Sequence, residues 1–170
     1  STPLYSSAAS DVYKRQAVEA LFVSPMLRCR ESAKILFSKQ SFSVVSELRE
    51  CDFGRYENKN FQELSGDADY QRWLDSNGTL PFPAGEEQSH FRKRCVEAFK
   101  VIVTELFEEK KQSAAIVVHG GTIMSILEAL AEEKRAFYDW QVGNAMGYHL
   151  SVSDEIWEKR QRVTVLEKIT

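Results

Sequence analysis
The chain has 170 residues, a formal net charge of −3, 43% apolar and 28% charged residues, the make-up of one globular domain large enough to bury most of its apolar surface. That charge gives no global attraction for nucleic acid or anionic lipid, and no apolar run reaches the length of a membrane span. Three cysteines (Cys29, Cys51, Cys95) and three histidines (His90, His119, His149) lack the spacing of a metal or redox site, so no metal site is expected and reduced thiols in a cytoplasmic protein are the plain reading.

Residues 1–16 read as a foreign or disordered leader: small and polar, with no hydrophobic period and none of the features of a signal peptide. Residues 17–170 read as a single domain. Val18 to Val23 is a short apolar run, hence a strand, ending at Ser24-Pro25. A helix follows over Arg28–Phe37, with Ala33, Leu36 and Phe37 inward. Ser24 is placed to cap it and Pro25 to sit in its first turn. Phe42 to Val45 reads as a second strand. Residues 48–57 read as a loop, 60–75 as a weak helix anchored by Leu64, Tyr70, Trp73 and Leu74, and the proline- and glycine-rich stretch 76–85 as a loop or lid.

Glu86 to Lys110 is the clearest helix, with Phe91, Cys95, Ala98, Phe99, Ile102 and Leu106 forming one apolar stripe. Ala114 to Val118 is a buried strand. His119-Gly120-Gly121-Thr122 makes a tight turn into a helix over 122–132. Phe137 to Trp140 is a short aromatic segment. Asn144–Val152 and Arg162–Ile169 read as closing strands joined by a turn at 154–159. Strands alternating with helices, then a pair of strands, indicate an α/β sandwich with a mostly parallel sheet.

The chemistry gathers at three places. His119 stands at the carboxyl end of a strand, where open α/β sheets bind ligands, beside a helix start whose free N–H groups attract phosphate. Glycine at position 120 lets the backbone come close to a ligand. A histidine so placed can equally be a structural hydrogen-bonder, and His-Gly-Gly also serves as an oxyanion loop, although no Gly-x-Ser-x-Gly elbow accompanies it. Arg28 lies in the first turn of a helix, where a cation opposes the macrodipole unless an anion lies between them; a solvated arginine is the alternative. Among the acids Glu50, Asp52 and Glu57, a proton donor would need burial or a neighbouring anion, and spacing alone does not rank them. Tyr56, Trp73 and Phe82 are either a pocket wall or core.

Four motifs in order, Val-Ser-Pro-Met-Leu-Arg-Cys-Arg-Glu-Ser-Ala, Leu-Arg-Glu-Cys-Asp-Phe-Gly-Arg-Tyr-Glu, Pro-Ala-Gly-Glu and Val-Val-His-Gly-Gly-Thr, resemble the histidine phosphatase (phosphoglycerate mutase-like) superfamily, in particular its α-ribazole phosphatase and broad-specificity phosphatase branch, a branch tied to cobalamin biosynthesis. The resemblance spans about Ala17 to Leu150. It implies a three-layer αβα sandwich, no metal or organic cofactor, and phosphomonoester hydrolysis through a phosphohistidine. It makes Arg28 and Gly120 substrate-binding, Glu50 the proton donor and His119 the second active-site histidine. The partner it implies is a small phosphorylated metabolite, with no nucleic acid or membrane.

The sequence also departs from the family. Pro-Ala-Gly85-Glu86 replaces a Gly-Gly-Glu-Ser element, and Tyr56-Glu57-Asn58 a Trp-Glu-Gly. No Arg-His-Gly occurs, although the family opens with a strand ending in that motif, whose histidine is the nucleophile. The expectation is therefore a sheet lacking the family's first strand, impaired turnover, and exposed strand edges that favour a homo-oligomer. A non-catalytic phospholigand-binding relative and a phosphoglycerate mutase-type transferase are the alternatives.

Overall fold
The computed structural model describes residues 2–6, 17–76 and 80–170; for 2–6 only the backbone path is considered. The chain divides into two compact units, one made of residues 1–50 and 94–170, the other of residues 51–93.

The first unit is built on a six-stranded sheet: β1 (Thr2–Ser6), β2 (Ala20–Val23), β3 (Ser43–Val44), β4 (Ala114–Val118), β5 (Gly147–Ser151) and β6 (Thr164–Ile169). Their order across the sheet is β3-β2-β4-β1-β5-β6. β3, β2, β4 and β1 run parallel, and β5 is antiparallel to both β1 and β6. β4 explains the layering. All five of its residues are buried. Ala114, Ile116 and Val118 face one core with Ala98, Phe99, Ile102, Ile123, Ile126 and Leu127. Ala115 and Val117 face a second core with Cys29, Ala33, Leu36 and Phe37. Side chains alternate across a strand, so a continuous apolar run means both faces are covered. The helices that cover them are α1 (Leu27–Leu36) on one side, and α4 (Gly120–Leu130) with most of α3 (Gln88–Glu108) on the other. The three-layer, mostly parallel α/β fold is as expected.

The expectation that the sheet lacks its opening strand is corrected. Thr2–Ser6 forms β1 between β4 and β5, with Leu4 opposite both Ile116 and Tyr148, so the exposed edges expected there are absent. Residues 7–16 lie outside the described residues. Two smaller corrections concern termini. The turn expected at 154–159 is a helix, α5 (Asp154–Arg160), because Ser153 caps it by accepting from the Ile156 N–H and acids fill its first turn. Ser24 does not cap α1: Met26 holds that position and makes no side-chain cap.

The second unit contains a 3₁₀ turn at Gly54–Tyr56 and α2 (Ala68–Asp75). Asp67 caps α2, accepting from the N–H groups of Asp69 and Tyr70. Trp73 stacks on Phe82 with ring centroids 5.2 Å apart, and Tyr56 meets Phe82 edge-on at 6.2 Å. Tyr56 and Phe82 are buried and Trp73 is half-buried. Here glycine is needed at two positions. Gly54 has φ +54°, and a Cβ on it would lie 2.3 Å from the Pro83 carbonyl oxygen; a Cβ on Gly85 would lie 2.5 Å from that of Asp52. The two segments touch there through Arg55 N–H to the Pro83 carbonyl (2.9 Å) and Glu86 N–H to that of Asp52 (2.8 Å).

Candidate active site
Every expected site residue belongs to the first unit, and the fold brings them together. β4 ends at Val118, and His119 takes the extended N-cap position of α4 without capping it through its side chain. The first intrahelical bond runs from Ile123 N–H to the His119 carbonyl, which leaves the amides of residues 120–122 without helical acceptors. A Cβ at Gly120 would meet nothing within 4 Å. No atom of the described residues fills the space beside Gly120 at the helix start.

His119 itself is 2% exposed, and its two ring nitrogens have different partners. Nδ1 lies 3.1 Å from Nη2 of Arg28, and Nε2 lies 2.7 Å from Oγ of Ser24. A guanidinium only donates, so Nδ1 accepts and the ring proton sits on Nε2, donated to Ser24. Burial, then the charges of Arg28 and Arg94, push the imidazole down to about 3. His119 is thus neutral at physiological pH. The carboxylate of Glu50 approaches Nδ1 at 3.5 Å, but beside a neutral ring this is no ion pair. Among the described residues Glu50 forms an ion pair with Arg28, at 3.5 Å. The Glu50 side chain is 18% exposed and that of Arg28 is 48% exposed, so the carboxylate is largely shielded while the guanidinium still reaches solvent.

Sequence reasoning missed three participants. Ser24, buried completely, holds the imidazole proton rather than a helix end. Cys29 packs its sulfur 3.6 Å from Nε2; burial above all pushes its thiol up to about 11, so it stays protonated and unreactive. Arg94, 7% exposed, donates to the carbonyls of Glu47, Arg49 and Glu50. Its signal was available: it lies within the stripe that buries Phe91, Cys95 and Ala98, a charge where an apolar residue belongs. The other histidines lie elsewhere. His90 pairs with Glu86 in the second unit, and His149 with Glu167 across β5 and β6. Among the described residues, no group of three or more His, Cys, Asp or Glu is arranged to hold a metal, and no helix is long and apolar enough to cross a membrane.

A histidine at a strand end, an arginine against it, a carboxylate beside both and an open helix start form an anion-binding arrangement with an acid within reach. Residues 5–164 match the model of the histidine phosphatase superfamily (branch 1). The chain belongs to that superfamily. Among solved structures, this histidine phosphatase chain is similar to an Escherichia coli K-12 protein provisionally described as an alpha-ribazole-5'-P phosphatase, at 14% identity and TM-score 0.80 over 99% of this chain and 95% of that one. It is also similar to the mycobacterial glucosyl-3-phosphoglycerate phosphatase, at 18% identity and TM-score 0.73, covering 97% and 96%. A third is a phosphoglycerate mutase from Bacillus anthracis, at 16% identity and TM-score 0.70, covering 98% and 91%. These likenesses establish the fold. No curated protein sequence matches the chain.

Proposed function
We propose that this histidine phosphatase chain takes phosphomonoesters of small metabolites at Arg28, His119 and Gly120, with Glu50 as the proton donor to the leaving oxygen. The observation that carries this is the 3.1 Å contact between Arg28 and the imidazole of His119 at the open start of α4. In this reading the phosphoryl group sits before the helix, between the Arg28 guanidinium and the amides of Gly120 and Gly121. Those donors neutralise its equatorial oxygens. Glu50, shielded and beside the cradle, takes up a proton from solvent as the phosphoryl anion binds next to it, because a neighbouring anion favours the neutral carboxyl, and passes that proton to the departing alcohol. A phosphoryl oxygen at Nδ1 of His119 requires a proton there, so anion binding draws one onto the ring.

The superfamily's nucleophile is a histidine in Arg-His-Gly, and no such motif occurs in the 170 residues. Neither His90 nor His149 has that setting. The chain as given therefore binds the phosphoryl group and turns it over slowly, with water as the acceptor. Among substrates, α-ribazole phosphate is favoured by the motif resemblance. The three similar structures act on different phosphates by name, and a phosphoglycerate mutase is covered over 91% of its length, so chain length does not separate phosphatase from mutase.

Calorimetric titration with inorganic phosphate, alongside p-nitrophenyl phosphate hydrolysis, tests the reading. Binding is expected in the millimolar range, weakened about tenfold or more by Arg28→Gln, since charged hydrogen bonds of this kind carry about 1.5–3 kcal/mol. Hydrolysis is expected to be slow. No phosphate binding, or binding that Arg28→Gln leaves unchanged, overturns the site. Robust hydrolysis abolished by His119→Ala with no trapped phosphohistidine overturns the argument from the absent nucleophile.

A further inference from the structure
Burying a guanidinium is costly unless its donors are satisfied, and Arg94 satisfies its own in an unusual way. Nη1 donates to the carbonyls of Glu47 at 2.6 Å and Arg49 at 2.8 Å, and Nη2 to that of Glu50 at 3.1 Å. The acceptors belong to one run of four residues. Its beginning is a 3₁₀ turn at Ser46–Leu48 whose last bond runs from Arg49 N–H to Ser46. From Arg49 on, Arg94 holds the carbonyls from α3. The residue delivered at the end of that path is Glu50, whose carboxylate stands 3.5 Å from both Arg28 and His119.

We propose that Arg94 is a positioning residue: its guanidinium fixes the backbone of 47–50 and so holds the Glu50 carboxylate beside Arg28 and His119. A planar fork is needed for this. It reaches three carbonyls at fixed angles, which the point charge of a lysine does not. The same group is the second cation acting on His119, after Arg28, so it serves the imidazole as well as the carboxylate. The part of the inference that makes Glu50 a proton donor rests on the phosphatase reading above; the geometric part does not.

The test is Arg94→Lys, which keeps the charge and loses the fork, with Arg94→Met, which loses both. Crystal structures and the imidazole 15N resonances of His119 are the readouts. In Arg94→Lys the sheet and helices are expected to superpose on the wild type, while the Glu50 carboxylate withdraws beyond hydrogen-bond reach of Arg28, a shift of about 2 Å or more. The His119 resonances move with it. In Arg94→Met the carboxylate withdraws likewise. Glu50 unmoved and His119 resonances unchanged in folded variants would overturn the proposal, because a merely structural arginine alters stability alone. If neither variant folds, the wild-type Arg94 decides. Separate, slowly exchanging Nη–H resonances are expected of a clamped guanidinium, and a freely rotating one overturns the clamp. Phosphate titration of the wild type stands apart: its failure would remove the proton-donor role and leave the placement of Glu50 readable.

Discussion
Lowering the pH from 7 to 5 should unfold this protein more readily through one buried ring. The imidazole of His119 is held down at about 3 in the folded chain, against about 6.5 when unfolded. A depressed histidine binds fewer protons folded than unfolded, so its contribution is full above about pH 6.5 and is lost as the pH falls towards 3. Integrating between pH 7 and 5 gives a loss of about 1.9 kcal/mol from this residue. The ring is 2% exposed, so solvent screening does not discount the figure. The assay is urea unfolding at both pH values for the wild type and for His119→Gln, whose amide still donates to Ser24 but does not titrate. The wild type should lose about 1.9 kcal/mol more than the variant. Losses that agree within about 0.5 kcal/mol, the scale of extrapolation error, would refute the neutral, buried imidazole and the tautomer built on it.

Ser24→Ala leaves the Nε2–H of His119 buried without an acceptor and should cost about 1–3 kcal/mol in the same melts. Phosphate binding should take up protons, read as a binding enthalpy that changes between buffers of different ionisation enthalpy; a buffer-independent enthalpy would place the phosphate away from Nδ1. Gly120→Val adds its Cβ where no atom of the described residues lies within 4 Å, so it should leave the melting temperature nearly unchanged while weakening phosphate; equal affinity would move the anion off the start of α4. Gly85→Ala drives a Cβ to 2.5 Å from the Asp52 carbonyl oxygen and should cost about 2 kcal/mol or more by chemical unfolding, as strained or overpacked sites do.

What could be read from the sequence follows from how local each feature is. β4 and the helix after it were legible because an apolar run, two glycines and a helical period lie within a few residues of one another. His119 and Arg28 were found because strand ends and helix starts have chemical meaning of their own. β1 was not legible: Thr-Pro-Leu-Tyr-Ser is short, and Pro3 lacks the N–H that an interior strand normally uses, yet Pro3 stands opposite His149 in the ladder. Ser24 was misread because a serine before a proline and a helix fits a cap equally well, and its true partner is distant in the chain. Arg94 is marked in the sequence only as a charge on the apolar stripe of α3. What it binds was not legible, because its acceptors are backbone carbonyls, which leave no trace in side-chain pattern. The aromatic trio of Tyr56, Trp73 and Phe82 reads in the sequence as either pocket wall or core; its rings meet one another, with Tyr56 and Phe82 buried and Trp73 half-buried.

The bond from Arg94 to the Glu50 carbonyl also says something about how such a chain can change over time. Glu50 and Arg94 are the last and first residues of the larger unit on either side of residues 51–93, and a 3.1 Å hydrogen bond joins them. The stretch that begins after Glu50 therefore comes back beside its own start, along α3, whose first residues 88–93 belong to it. Closing a long loop costs little more than closing a short one, so extra residues inserted ahead of α3 should add little to the cost of that closure.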